Sequence, residues 1–282
     1  MLLPTNKASM LRGGFGNCFK KMVCANNISK VCKQCPVKQQ CTYTYIFETS
    51  AKTEVPRPYI IEVPFNDKRN FEKGEQIKFT ILLLGKATTY LPYFIFAFIE
   101  LGNIGLTLKK YKFKLCKVTD SNNNIVFDGH KIFKTDVVLS WKDILNNNST
   151  IKNDKLMLNF VTPLRLIEHR KLVSNITFNL LIDKLLQRIN AIYKYHCDYN
   201  NVTDFKSLIE LSKSINTSFN NLHWQDWERY SNRQKTKMLF GGLVGNIIFK
   251  GNINEFLPYL NLGSYIHIGK NCTFGQGKYD IL

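Results

Sequence analysis

The sequence predicts an α+β protein of two tandem ferredoxin-like (RRM-like) domains, the first lacking its opening strand. Three observations predict it. From Lys155 onward the elements read β-α-β-β-α-β, apart from one inserted short helix, and that is the ferredoxin-like order. Residues 9–127 read helix, strand, strand, helix, strand, a similar order without its first member. Between the two, Asn146-Asn147-Asn148-Ser149-Thr150 is a polar run without periodicity and reads as a linker. A chain of 282 residues suits one large or two small domains, so the expected domains are 1–145 and 151–282.

In the first domain Met10, Leu11, Phe15, Phe19, Met22 and Val23 fall at helical spacing over Ser9–Val23. Gly13, Gly14 and Gly16 weaken that helix by about 1 kcal/mol each. Either the close approach they permit is used, for packing or for a ligand, or they form a loop before a shorter helix. Arg57–Phe65 and Gln76–Leu84 are strand-like, with a turn at Lys73-Gly74-Glu75, and Leu91–Leu101 is a buried helix. Lys109–Val118 alternates apolar residues with lysines, and Asp120–Asn124 turns it back into Ile125–Phe127 as a hairpin. Almost nothing precedes the first helix. Either Met1 is an internal or misassigned start, or this sheet has lost an edge.

In the second domain Lys155–Ile167 is a strand and Ile176–His196 a helix, with Leu180, Leu181, Leu185, Ile189 and Ile192 on one side. A short helix, Phe205–Ile215, follows. Trp224–Tyr230 and Lys237–Lys250 read as strands and Asn254–Leu260 as a helix, before a glycine-rich loop over 263–277 and a last strand, Lys278–Leu282.

Cys24, Cys32, Cys35 and Cys41 form a Cys-rich loop over 24–41, with the spacing C-x7-C-x2-C-x5-C. Four thiols so close, with one C-x2-C step, suit a structural, tetrahedral zinc site, with free thiols as the alternative. Cys18, Cys116, Cys197 and Cys272 are isolated and read as buried or incidental thiols.

Lys plus Arg number 39 against 21 Asp plus Glu, a formal charge of +18, which favours a polyanionic partner over a merely basic surface. Membrane is disfavoured, since no basic amphipathic helix or lipidation motif is present and the run Leu91–Leu101 is too short to span. The opening residues MLLPTNKASM lack the apolar core of a signal peptide, so a cytoplasmic protein is expected.

The stretch with most to say about function is GSYIHIGKNCTFGQGKYDIL, Gly263 to Leu282. Glycines at 263, 269, 275 and 277 remove the Cβ atoms that hold a backbone away from a ligand, so successive N–H groups can meet a bulky anion. The same glycines are also what a tight turn requires. The run Leu257–Tyr279, the segment WERYSNRQ from Trp227 to Gln234, the sequence GGLVG from Gly241 to Gly245, and LRGGFGNCFKKMVC from Leu11 to Cys24 together resemble the CRISPR-associated endoribonucleases that cut precursor CRISPR RNA, a branch of the RAMP superfamily. These motifs stand at both ends of the chain in the expected order. Residues 54–155 match only in general character.

That resemblance implies tandem ferredoxin-like domains and binding of a CRISPR repeat. It also implies metal-independent cleavage, in which a ribose 2′-hydroxyl attacks the adjacent phosphate to leave a 2′,3′-cyclic phosphate and a 5′-hydroxyl. Such a step needs a base, an acid and cationic support for the phosphorane. His267, beside the loop and near Lys270, is the first candidate acid or base, with a histidine packed in a strand as the alternative. Tyr230, Lys20 and Lys21 are the other catalytic candidates; a solvated helix face explains the two lysines equally well. Arg12, Arg229, Arg233, Gly269, Lys270, Gly275, Gly277 and Lys278 are candidate RNA contacts, although Arg229 and Arg233 also suit a salt-bridged loop with Asp226 and Glu228. His130, His169, His196 and His223 have no such context. A catalytically silent RNA-binding subunit of a CRISPR effector complex and a zinc-stabilised interaction protein are the competing functions, and a homodimer is left open.

Overall fold

A helix rich in glycine and phenylalanine, α1 (Lys7–Val23), centres the first of two compact units, Met1–Val138 and Leu139–Leu282. The computed structural model describes residues 1–5, 7–25, 31–48, 55–64, 66, 68–146, 154–197, 204–226, 228–231 and 236–282. The glycines of α1 are packing glycines. A Cβ on Gly14 would strike the Leu101 side chain, and one on Gly16 would stand 3.0 Å from the Phe47 ring. Close approach places Phe15 flat against Phe98, with centroids 4.9 Å apart and 6° between planes, and 5.2 Å from Phe47. Those partners lie on α2 (Thr42–Phe47) and α3 (Leu91–Ile104), so one aromatic cluster ties three helices together.

β1 (Tyr59–Glu62) and β2 (Thr80–Leu83) pair antiparallel; Tyr59, Ile60 and Ile61 are buried, and the Tyr59 ring joins the same cluster, 5.5 Å from Phe47. After α3 come β3 (Val118–Thr119) and β4 (Ile125–Phe127), joined by a turn in which the Asp120 carboxylate accepts the N–H groups of Asn122 and Asn124 at 2.9 Å each. The opening strand that the sequence lacks is present in rudiment. Leu2 bridges Asn70, the Leu3 N–H donates to the Arg69 carbonyl, and the Phe71 N–H donates to the Met1 carbonyl. Of the predicted strand Lys109–Val118 only its last residue, Val118, joins a ladder, together with Thr119 beyond it. Its alternation is real, with Lys112 and Lys114 exposed and Tyr111, Phe113 and Leu115 half-buried. The segment leans on the end of α3 instead of a strand, because Gly102 admits the Phe113 carbonyl.

The second unit begins with α4 (Trp141–Asn146), whose Trp141 ring lies 5.7 Å from Tyr259, so this helix goes with the second unit although the linker was predicted to follow it. Then come β5 (Lys155–Leu164), a small hairpin of β6 (Ile167–Glu168) and β7 (Lys171–Leu172), α5 (Phe178–His196) and α6 (Lys206–Ser212). Thr177 caps α5 by accepting the Leu180 N–H, and Leu181, Ile182, Leu185 and Ile189 are buried along it. β8 (Asn216–Gln225), β9 (Glu228–Ser231), β10 (Thr236–Leu239), β11 (Gly242–Lys250), α7 (Leu257–Ile266) and β12 (Tyr279–Ile281) complete the chain.

The main sheet has the order β12-β5-β11-β8, antiparallel throughout. Taking β5, β8, β11 and β12 as strands one to four, with α5 and α7 as the two connecting helices, this is the ferredoxin-like topology. Two predicted strands are corrected. The partner of β11 is β8, not Trp224–Tyr230, and the predicted strand Lys237–Lys250 divides into β10 and β11. α7 runs on to Ile266, into the stretch expected to be the glycine-rich loop, so Gly263 is a helical residue packed under Tyr279, whose hydroxyl donates to the Leu260 carbonyl at 2.6 Å. Among the described residues no helix is long and apolar enough to cross a membrane.

Candidate nucleic-acid interface

The glycine-rich loop starts where α7 stops. His267 sits there at φ 60°, ψ 171°, a conformation that glycine alone adopts readily. Arg188 on α5 holds the junction, its Nε donating to the carbonyls of Ile266 and His267 at 3.0 Å and its Nη2 to Ile266 at 2.8 Å. A guanidinium on the last carbonyls of a helix also suits the helix dipole. The His267 ring is fully buried, with Nδ1 3.0 Å from the Gln276 carbonyl. Gln276 is buried too, donating from Nε2 to the Phe240 carbonyl at 2.6 Å.

The loop spends its N–H groups on the protein. Ile268 donates to Gly277, Lys270 to Arg165, Phe274 to Asn271, Gly275 to Cys272 and Gly277 to Pro163. The Lys278 N–H donates to the Thr162 hydroxyl, which itself donates to the Gly275 carbonyl. Gly275 and Gly277 are buried at positive φ, and a Cβ on Gly277 would run into the Ile268 carbonyl. The anion cradle expected of these two glycines is therefore not presented: their N–H groups already have acceptors. Gly269, at φ 90°, fits against the Arg165 carbonyl, Lys270 is exposed and Lys278 half-buried. A general acid or base must reach the RNA. The buried His267 ring does not meet that condition in this arrangement, and its contacts make it a positioning residue. Arg188 and Gln276 were not legible in the sequence, because both act through backbone carbonyls that no motif marks.

A second feature is an arm. β9 and β10 prolong the β8–β11 hairpin beyond the pair Gln225–Gly242, with Arg229 opposite Met238 and Tyr230 opposite Lys237. At its root Trp224 Nε1 donates to the Asp226 carboxylate at 2.6 Å, where Gly241 leaves the space. Arg229 and Tyr230 thus lie on one strand of the arm; Arg233 lies outside the described residues.

The third feature is the end of α1. Lys20 stands 5.4 Å over the Tyr43 ring, Tyr43 stacks on Phe47 at 5.0 Å, and Arg12 lies 5.9 Å over the other ring, Phe47. Burial, with smaller contributions from Glu48 and Cys32, pushes the Tyr43 phenol up to about 12. Lys21 is exposed. Tyr43 went unnoticed in the sequence, although its spacing of four from Phe47 places both on one helix face. Cys32 opens a single helical turn and Cys41 precedes α2. Among the described residues no three His, Cys, Asp or Glu side chains gather as a metal site. Cys24, Cys32, Cys35 and Cys41 are thus not assembled around a common point, and residues 26–30 lie outside the described residues.

A four-stranded ferredoxin-like unit with a hairpin arm, in a chain of charge +18, defines an RRM-like α+β protein suited to a polyanion. A family model for the CRISPR-associated endoribonuclease Cas6 matches residues 158–279, and another, described only as an N-terminal domain, matches residues 1–143. Over residues 158–279, within the second unit, the chain is thus similar to the CRISPR-associated endoribonuclease Cas6 family. Among solved structures, a Cas6 product complex of Thermus thermophilus is similar over 100% of this chain and 95% of its own, with TM-score 0.60 and 14% identity. A second Cas6 product complex covers 98% and 92%, with TM-score 0.53 and 10% identity. A chain of a partial Cas6-RT-Cas1–Cas2 complex is similar over 98% of this chain and 42% of its own, with TM-score 0.57 and 14% identity. At such identities the likeness is one of fold. No curated protein matches the sequence.

Proposed function

We propose that this chain binds the repeat of precursor crRNA and cuts it endoribonucleolytically without a metal ion. The observation that carries the reading is the Cas6 family match over residues 158–279, which spans the ferredoxin-like sheet, the arm and the glycine-rich loop together. In the step proposed, a base takes the proton of a 2′-hydroxyl, the 2′-oxygen bonds to the adjacent phosphorus, and the bond to the 5′-oxygen breaks as an acid protonates it. The products are a 2′,3′-cyclic phosphate and a 5′-hydroxyl. Lys20, Lys21 and Tyr230 remain the proposed catalytic side chains, and Tyr43, whose ring lies 5.4 Å under Lys20, joins them as a proposed proton donor. Arg229, Arg233, Lys270 and Lys278 are the proposed phosphate contacts. Arg12 supports the site by packing on Phe47.

Other CRISPR proteins are proposed partners, since a chain similar in fold belongs to a Cas6-RT-Cas1–Cas2 complex, and the cytoplasm is the proposed compartment. Zinc at Cys24, Cys32, Cys35 and Cys41 is proposed from donor chemistry and spacing, and loading would require that segment to close around the ion.

The test is a labelled repeat hairpin from the same genome. Cleavage should survive excess EDTA, leave a cyclic phosphate, and stop when the one attacking 2′-hydroxyl is replaced by hydrogen. Cleavage that EDTA abolishes while the fold persists would remove the metal-free step. Failure to bind the repeat would remove the function.

A further inference from the structure

We infer a second RNA contact within the first unit, where a single-stranded stretch of the transcript outside the repeat hairpin runs along a lysine-rich segment and seats one base in an apolar hollow. The inference rests on the RNA-processing function proposed above and adds a place that none of its motifs touches. Between α3 and the β3–β4 hairpin lies a hollow of about 850 Å³. Phe96, Phe113 and Phe127 give it an apolar wall, and Lys114, His130 and Lys131 line it as well. Its size falls within the range of small-molecule sites, about 300–1,000 Å³, which accommodates a nucleobase with room to spare.

Two features select the occupant. One wall ring is left showing, Phe96 at 50% exposed, and next to the lining residue Ile132 a further ring, Phe133, is 38% exposed with Lys131 5.4 Å over it. Exposed aromatics beside cations are how single strands are held without sequence preference, bases on the rings and phosphates on the cations. The approach to the hollow is also strongly basic. Lys109, Lys110, Lys112, Lys114 and Lys117 fall within nine residues, all are exposed, and among the described residues none forms an ion pair. The nearby carboxylates have local work. Asp128 accepts the N–H groups of His130 and Lys131, Asp120 holds its turn, and Glu100 accepts from Asn103 at 3.3 Å. The segment that predicted a strand and failed to join a ladder thus leaves its lysines to a polyanion.

The experiment compares three RNAs on the full chain: the bare repeat hairpin, the hairpin with a ten-uridine flank, and oligouridine alone. Lys112→Gln/Lys114→Gln/Lys117→Gln should bind the flanked hairpin about tenfold more weakly and flatten the slope of log affinity against log salt by about 2, at roughly 0.7 per phosphate contact. Phe96→Ala should lose about tenfold in affinity for the same RNA, as for a stacked base, with the salt slope kept. Both variants should bind and cut the bare hairpin as wild type does. Unchanged binding of the flanked RNA overturns the inference, and so does an equal loss on the bare hairpin. Displacement of oligouridine by an equimolar polyglutamate of matched charge also overturns it, in favour of an acidic protein. If wild type ignores the hairpin yet binds oligouridine with the lysine-dependent slope, the hollow stands and the processing function falls.

Discussion

His267 shows how a motif residue can look catalytic and be architectural. Its backbone occupies a region nearly closed to side chains, worth about 1–3 kcal/mol of strain, and Arg188 and the Gln276 carbonyl hold it there. His267→Ala keeps the strain and loses the ring's hydrogen bond, so urea unfolding should give a loss of about 1–3 kcal/mol. His267→Gly relieves the strain and should lose less than alanine does. A stable His267→Ala protein cutting 10²–10⁴-fold more slowly, the range for a lost acid or base, would return the residue to chemistry. Tyr43 sets a pH limit. Its folded value lies above that of a free phenol, so the stability it contributes is complete below about pH 10 and is lost as pH rises toward 12. Alkaline titration of stability should therefore fall less steeply in Tyr43→Phe than in wild type; parallel curves would show that the phenol titrates unperturbed.

Elements with a buried face were readable from their sequence, and elements without one were not. α5 was legible because Leu181, Leu185, Ile189 and Ile192 repeat at helical spacing, and β5 because Leu156, Leu158 and Phe160 alternate into the core. β8 was missed, since NTSFNNLHWQ shows almost nothing to the interior: as an edge strand it is held by backbone pairing with β11, which leaves no hydrophobic period to detect. The glycine-rich loop was legible as a site of close approach, but whether the approaching partner was RNA or the protein's own backbone depended on Pro163 and Arg165, more than a hundred residues away in the chain. For the arm, Arg229→Ala/Arg233→Ala should weaken repeat binding and reduce the salt slope by about 1.4 to 1.8, two contacts at 0.7 to 0.9 each. An unchanged slope would assign these arginines to the arm's own packing.

At the scale of the molecule, the proposed zinc links one segment to overall stability. Protein purified without chelators should hold one zinc per chain, and Cys35→Ser should lower both the metal content and the melting temperature. Zinc-free protein with an unaltered melt would leave the four cysteines as thiols. The sheet of the second unit also sets a timetable for synthesis. β5 is made first and lies between β11 and β12, so one of its edges waits for a strand that starts at residue 279, 115 residues after Leu164. At about 5–20 residues per second, a ribosome leaves that edge uncovered for roughly 6–23 seconds, long enough to recruit the wrong strand from a neighbouring nascent chain. Translation arrested before Tyr279 has emerged should therefore leave β5 open to protease, with protection arriving only once Tyr279–Ile281 is out of the exit tunnel; early protection would mean that three strands suffice.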